Sequence, residues 1–157
     1  MEKEKYRLMK IEYSIDTNNI PEKFLARAAR ASTLLPLFPA AKRKMEFSFA
    51  SNFASNGLQV GGWAPLDAEY SSWKAVRFPG APPLVRSGRL FRSLAAQNTA
   101  TFRATRMEFE FGTSVPYAKF HQYGTEKMPK RQIVFTPRDF GDWFGQKAVS
   151  WVVDGEL

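Results

Sequence analysis

The chain is predicted to adopt an α+β fold, in which a small antiparallel sheet of about four strands is flanked by helices and a long loop rich in Gly, Pro and aromatic residues spans about 57–83. Three patterns point there. Apolar residues recur every three or four positions between Phe24 and Phe53, they alternate at spacing two between Phe102 and Phe111, and Gly and Pro interrupt both periodicities between Gly57 and Pro83. A length of 157 residues suits one domain, 1–157, large enough to bury a core.

Taken in order, residues 6–15 place Tyr6, Leu8, Ile11, Tyr13 and Ile15 in two period-two sets, which predicts a strand with a bulge. Asp16-Thr17-Asn18-Asn19 is turn and cap chemistry, and Pro21 suits a first helical turn. The helix that follows lines Phe24, Leu25, Ala28, Ser32 and Leu35 on one face until Pro36 and Pro39 end it. Pro39 also opens a second helix, with Met45, Phe49 and Phe53 four residues apart and Asn56-Gly57 as its stop. In the loop, Gly61, Gly62, Gly80, Pro65, Pro79, Pro82 and Pro83 deny long regular structure, while Trp63, Tyr70, Trp73 and Phe78 argue for order on contact with a partner or with the domain's own core.

Ser87 is an N-cap for a short helix whose apolar face is Leu90, Phe91, Leu94 and Ala95. Two period-two runs with a parity switch near Thr105-Arg106 predict a hairpin, across which Arg103 pairs with Glu108 or Glu110. Val115–Phe135 then reads as a turn or two of helix through Tyr117, Phe120, His121 and Tyr123, a loop from Gly124, and a strand Ile133-Val134-Phe135. Asp139 caps a last helix that carries Phe140, Trp143, Phe144, Ala148, Trp151 and Val152.

Composition narrows the chemistry. The chain has no Cys and one His, which removes disulfides, Cys nucleophiles and the common zinc sets within one chain. GxSxG, GxxxxGK[ST] and GxGxxG are all missing, and Glu108 with Glu110 reads as the wet side of a hairpin, so no enzyme activity, metal or cofactor is expected. No run of about eighteen apolar residues occurs and the N-terminus is charged from its second residue, so neither a membrane span nor a secretory signal is expected. The formal net charge of +8, from 23 Lys+Arg against 15 Asp+Glu, favours nucleic-acid or acidic partners without specifying either.

Four groups of residues follow one another in a recognisable order. They are Trp63-Ala64-Pro65-Leu66, followed by Tyr70 and Trp73-Lys74; Pro83 through Leu90 with Ser93-Leu94; Tyr117-Ala118 with His121-Gln122-Tyr123-Gly124; and Pro129-Lys130-Arg131. This order resembles the phage virion morphogenesis family, the tail-completion proteins of tailed bacteriophages, with its W-x-P-L, L-x-x-S-G-x-L-x-x-S-[IL], Y-A-x-x-H-Q-x-G and P-x-R signature. Where the family often continues with Pro-Phe-Leu, this chain has Gln132-Ile133-Val134-Phe135.

The resemblance implies a structural virion protein of the neck. It would form a homo-oligomeric ring of six or twelve copies at the head–tail junction, between the portal or head–tail adaptor and the tail terminator or tail tube. DNA would pass through its channel without sequence-specific contact. The implied location is the virion, and the host cytoplasm during assembly, with no membrane. A ring subunit needs large interface side chains, for which Trp63, Tyr70, Trp73, Tyr117, Phe120 and Tyr123, with His121 among them, are the candidates. The basic groups Arg86, Arg89 and Arg92, and Lys127, Lys130 and Arg131, would face the channel or an acidic neighbour. Uniform positive charge would hold DNA back in the channel, which favours the neighbour for at least one group. The charge by itself supports the other reading, a basic accessory protein that binds DNA without sequence specificity.

Overall fold

A computed structural model of the chain describes residues 20–95 and 101–157. The elements are α1 (Ile20–Ala31), α2 (Phe38–Ala54), α3 (Ala68–Arg77), α4 (Arg89–Ala95), β1 (Thr101–Ala104), β2 (Phe109–Gly112), α5 (Ala118–Tyr123) and α6 (Phe140–Val153). Short 3-10 turns occupy Leu35–Leu37 and Leu58–Val60. The described residues therefore form an α+β fold with an antiparallel two-stranded sheet flanked by helices.

Helix α2 is the spine. Pro39 sits in its first turn, where a missing N–H costs nothing, and no glycine interrupts it. Phe38, Ala41, Met45, Phe49 and Phe53 recur every three or four residues and are buried along one stripe. Each phenylalanine gathers a different part of the chain. Phe38 packs on Phe109 with ring centroids 5.2 Å apart, and on Phe144 of α6 at 6.2 Å. Phe49 meets Phe111 at 5.4 Å and Phe135 at 5.3 Å. Phe53 meets Trp63 at 5.2 Å and Phe91 of α4 at 5.4 Å, both edge to face. A buried Phe stabilises by about 1.5–3 kcal/mol, so this stripe organises most of the core.

The hairpin forms as the alternation implies. Its register sets Arg103 opposite Glu110, and Phe102 opposite Phe111. Thr105 closes the turn, its N–H donating to Glu108 O and its Oγ1 accepting from Glu108 N. The hairpin tip docks on the α1–α2 connection through Leu34 N–H, which donates to Arg106 O at 2.7 Å.

Several expectations need correction. The strand proposed for residues 6–15 and the cap at 16–19 lie outside the described residues. Ile133-Val134-Phe135 is not a strand, and it pairs with none among the described residues. Side chains meet its backbone instead: Gln122 Oε1 accepts from Ile133 N and Val134 N at 2.9 Å each, while Gln122 Nε2 and Gln132 Nε2 donate to Val134 O. The described residues thus carry two of the expected strands and not about four.

The loop 57–83 is not continuous loop. The stretch between Pro65 and Pro79 holds neither Gly nor Pro, and Asp67 caps it by accepting from Glu69 N and Tyr70 N, so α3 forms there. Helix α1 ends at Ala31, short of Pro36, and buries none of its residues; Phe24 is 71 % exposed. It is held to α6 by polar contacts: Arg30 donates to Val152 O and Val153 O, and Trp151 Nε1 donates to Arg30 O and Thr33 O. Asp139 stands at the N-terminus of α6, but its carboxylate accepts from Lys44 Nζ at 2.6 Å instead of capping the helix.

Candidate functional site

The four groups of residues singled out in the sequence all border one cleft, and polar contacts join three of them directly. Trp63 Nε1 donates to Gln132 O at 2.8 Å. Arg131 Nε donates to Ala64 O at 2.8 Å and its Nη2 to Pro65 O at 2.6 Å, while its own N–H donates to His121 O at 2.7 Å. Gln122 holds the segment that follows, as above. The helix after Ser87 supplies Leu90 and Leu94 to the core, with Ser93 Oγ and Thr113 Oγ1 2.6 Å apart beside it.

Two glycines permit the close approach. A Cβ on Gly57 would fall 2.3 Å from the Trp63 indole, so that ring lies directly on the backbone after α2. Gly124, at φ 78°, lets α5 end against Lys130, whose N would lie 2.9 Å from an added Cβ. On the opposite side α3 is fastened by Lys74, whose Nζ donates to Pro82 O. Leu84 follows in the left-handed region, φ 62°, with its side chain packed against the core.

These joints frame an open cleft of about 570 Å³ between α3, the 84–90 segment, α5 and the 127–131 loop. Tyr70, Tyr117 and Phe120 form its walls, and Leu66, Leu84, Leu90 and Met128 give it an aliphatic floor. Arg86, Arg89 and Lys127 stand exposed around it. Lys74 and Arg131 line it from below, at 4 % and 5 % exposure. Asp67 is the lone carboxylate residue among the lining side chains, and its Oδ1 is engaged in capping α3.

His121 is half-buried in this wall, edge-on to Tyr117 with centroids 6.1 Å apart, and its buried Nδ1 has no hydrogen-bond partner. Burial, then the charge of Arg131, pushes the imidazole below its ordinary value, which keeps it neutral near pH 7. Burial also lowers Lys74 and Arg131 from their ordinary values. No group of three His, Asp or Glu among the described residues is placed to hold a metal ion. What the cleft offers is binding: cations, ring edges and an aliphatic floor in one concavity.

The structure therefore gathers Tyr70, Tyr117, Phe120 and His121 with Arg86, Arg89, Lys127 and Arg131 around one cleft. Trp73, Tyr123, Arg92 and Lys130 lie outside its lining. Trp73 stacks on Tyr70 at 5.5 Å and stays exposed, and Tyr123 is 78 % exposed at the end of α5. Two candidates turn inward. Trp63, at 9 % exposure, packs in the chain's own core, and Arg131 is buried with two guanidinium N–H groups on carbonyls of the same chain. Met128 was not singled out in the sequence, and Lys74 carried no role there; a lysine in an amphipathic helix carries no mark of the carbonyl it will meet.

No family model, curated protein or solved structure matches the chain.

Proposed function

We propose that the protein is a structural subunit of the phage neck, of the virion morphogenesis and tail-completion class. It assembles with copies of itself into a ring at the head–tail junction, joining the portal or adaptor side to the tail terminator or tube around the DNA channel. The observation that carries this reading is that the four motif groups, spread over residues 63–131, all border one cleft, with three of them joined directly by Arg131 to Ala64, Pro65 and His121. Their closeness supports reading the four groups together. The exposed rings of Tyr70, Trp73, Tyr117, Phe120 and Tyr123 around it are what a subunit interface requires.

Light scattering of the purified protein at two concentrations and two salt levels, with and without duplex DNA, tests the proposal. The expected result is a closed oligomer whose mass is a fixed multiple of 17.9 kDa and does not change with DNA. A monomer that shifts onto DNA at low salt and leaves it as salt rises would overturn the ring. It would favour the second reading, a DNA-binding accessory protein, for which the net charge of +8 and the exposed cations at the cleft speak.

A further inference from the structure

The geometry points to the occupant of the cleft: an extended acidic segment of a partner protein that carries an aliphatic or aromatic side chain between its carboxylates. This rests on the reading of the surrounding face as an assembly surface and names the chemistry that the surface receives.

The first support is an imbalance of charge. Five cations line the cleft, Lys74, Arg86, Arg89, Lys127 and Arg131, against the single carboxylate of Asp67, which is tied to the N-terminus of α3. The second support is independent of that count. Lys74 and Arg131 are both more than nine-tenths buried, and neither makes an ion pair among the described residues. Burying an unpaired charge is costly, and such groups normally meet a counter-ion. Both retain donors, since Arg131 uses two of the five guanidinium N–H groups on Ala64 and Pro65, and Lys74 uses one of three ammonium N–H groups on Pro82. A carboxylate brought over them would supply the missing charge where low dielectric strengthens the attraction.

The rest of the lining selects protein over nucleic acid. Leu66, Leu84, Leu90 and Met128 match an aliphatic side chain, for which a phosphodiester has no counterpart. One face of Tyr70 is already covered by Trp73, and Tyr117 and His121 meet edge to face, so part of the ring surface that stacking bases would use is taken up within the chain. The cleft, about 570 Å³, suits a short run of residues, whereas a duplex needs a longer track of cations.

The probe is a short fluorescein-labelled peptide in which Asp and Glu alternate with Leu and Phe, titrated with the full chain and followed by anisotropy. A peptide with Lys in place of Asp and Glu and a single-stranded oligonucleotide serve as comparators. The acidic peptide is expected to bind at least about tenfold more tightly than either comparator. Reversing the two exposed charges, Arg86→Glu with Arg89→Glu, is expected to weaken it by about tenfold or more, while the same double reversal at Arg43 and Arg138 leaves it unchanged. Equal binding of the two peptides, tighter binding of the oligonucleotide, or indifference to the Arg86 and Arg89 reversals would overturn the assignment. The two proposals fail separately. A ring that ignores the acidic peptide overturns the occupant alone; a monomer that binds it overturns the ring and leaves the occupant standing.

Discussion

Arg131 changes meaning between sequence and fold. In the sequence it is one cation of the Lys127, Lys130 and Arg131 group, and cations are mostly solvated. In the fold it is a buried fork whose two carbonyl partners, Ala64 and Pro65, lie more than sixty residues away along the chain. No periodicity or spacing encodes that distance, so its role was not legible. Lysine cannot reproduce the fork, and Arg131→Lys is expected to lower stability by about 1.5–3 kcal/mol, read as a fall in the urea midpoint. Its neighbour His121 carries a pH signature. Burial and the Arg131 charge lower the imidazole below its ordinary value of 6.5, so just below that value the unfolded chain takes up a proton that the folded chain refuses. Stability should fall as pH drops below 6.5 and stop falling on this account once the lowered value is passed. Urea midpoints compared at about pH 7.5 and about pH 5.5 should show this loss in the parent and a smaller one in His121→Phe, which cannot titrate. Asp139, lowered by its bond to Lys44, titrates in a separate window below its ordinary 3.8 and does not confuse the comparison.

Elements were legible where a pattern repeated and a terminus was marked. Helix α2 has both, in its four-residue phenylalanine spacing and its Pro39 start; the hairpin has two alternating runs with a switch of parity between them. Helix α3 was missed because composition was weighed over a window too wide. Averaged over 57–83, Gly and Pro dominate, yet they cluster at the two ends and leave Asp67–Phe78 to fold between them. The local signal was present in Asp67, whose carboxylate accepts from the second and third N–H groups after it. Asp67→Ala is expected to cost about 1 kcal/mol and to raise amide exchange in the first turn of α3. Unchanged exchange there would mean that Lys74, fastened to Pro82, holds the helix without its cap. The segment 133–135 failed in the opposite direction. Its β-branched and aromatic run is genuine strand chemistry, but a strand needs a partner, and among the described residues its N–H groups meet the Gln122 amide and not a ladder.

Across the whole molecule, burial separates the rings that hold the fold together from those that stay in water. Trp63 belongs to the first set: its ring lies against Phe53 and Gly57, and its Nε1 is committed to Gln132. Tyr123 and Trp73 belong to the second, large rings held in water by elements that are themselves anchored, α5 through Ala118 and α3 through Lys74. The sequence placed all of these rings in one interface set because aromatic residues serve cores and interfaces equally well, and only the packing of α2 against the 57–63 turn separates them. The distinction is measurable. Trp63→Ala should remove about 3–5 kcal/mol by opening a cavity beside Phe53, so that the chain loses cooperative unfolding or melts far earlier. Trp73→Ala and Tyr123→Ala should each change the urea midpoint of the monomer little, since an exposed ring contributes little to its own subunit. If these rings sit in a ring-shaped assembly, the same two substitutions should dissociate it into folded subunits, seen as a drop in scattering mass without loss of helical signal. An oligomer untouched by both would move the subunit contact to another face, where Phe24 and Leu25 of α1 are the next exposed apolar side chains to replace.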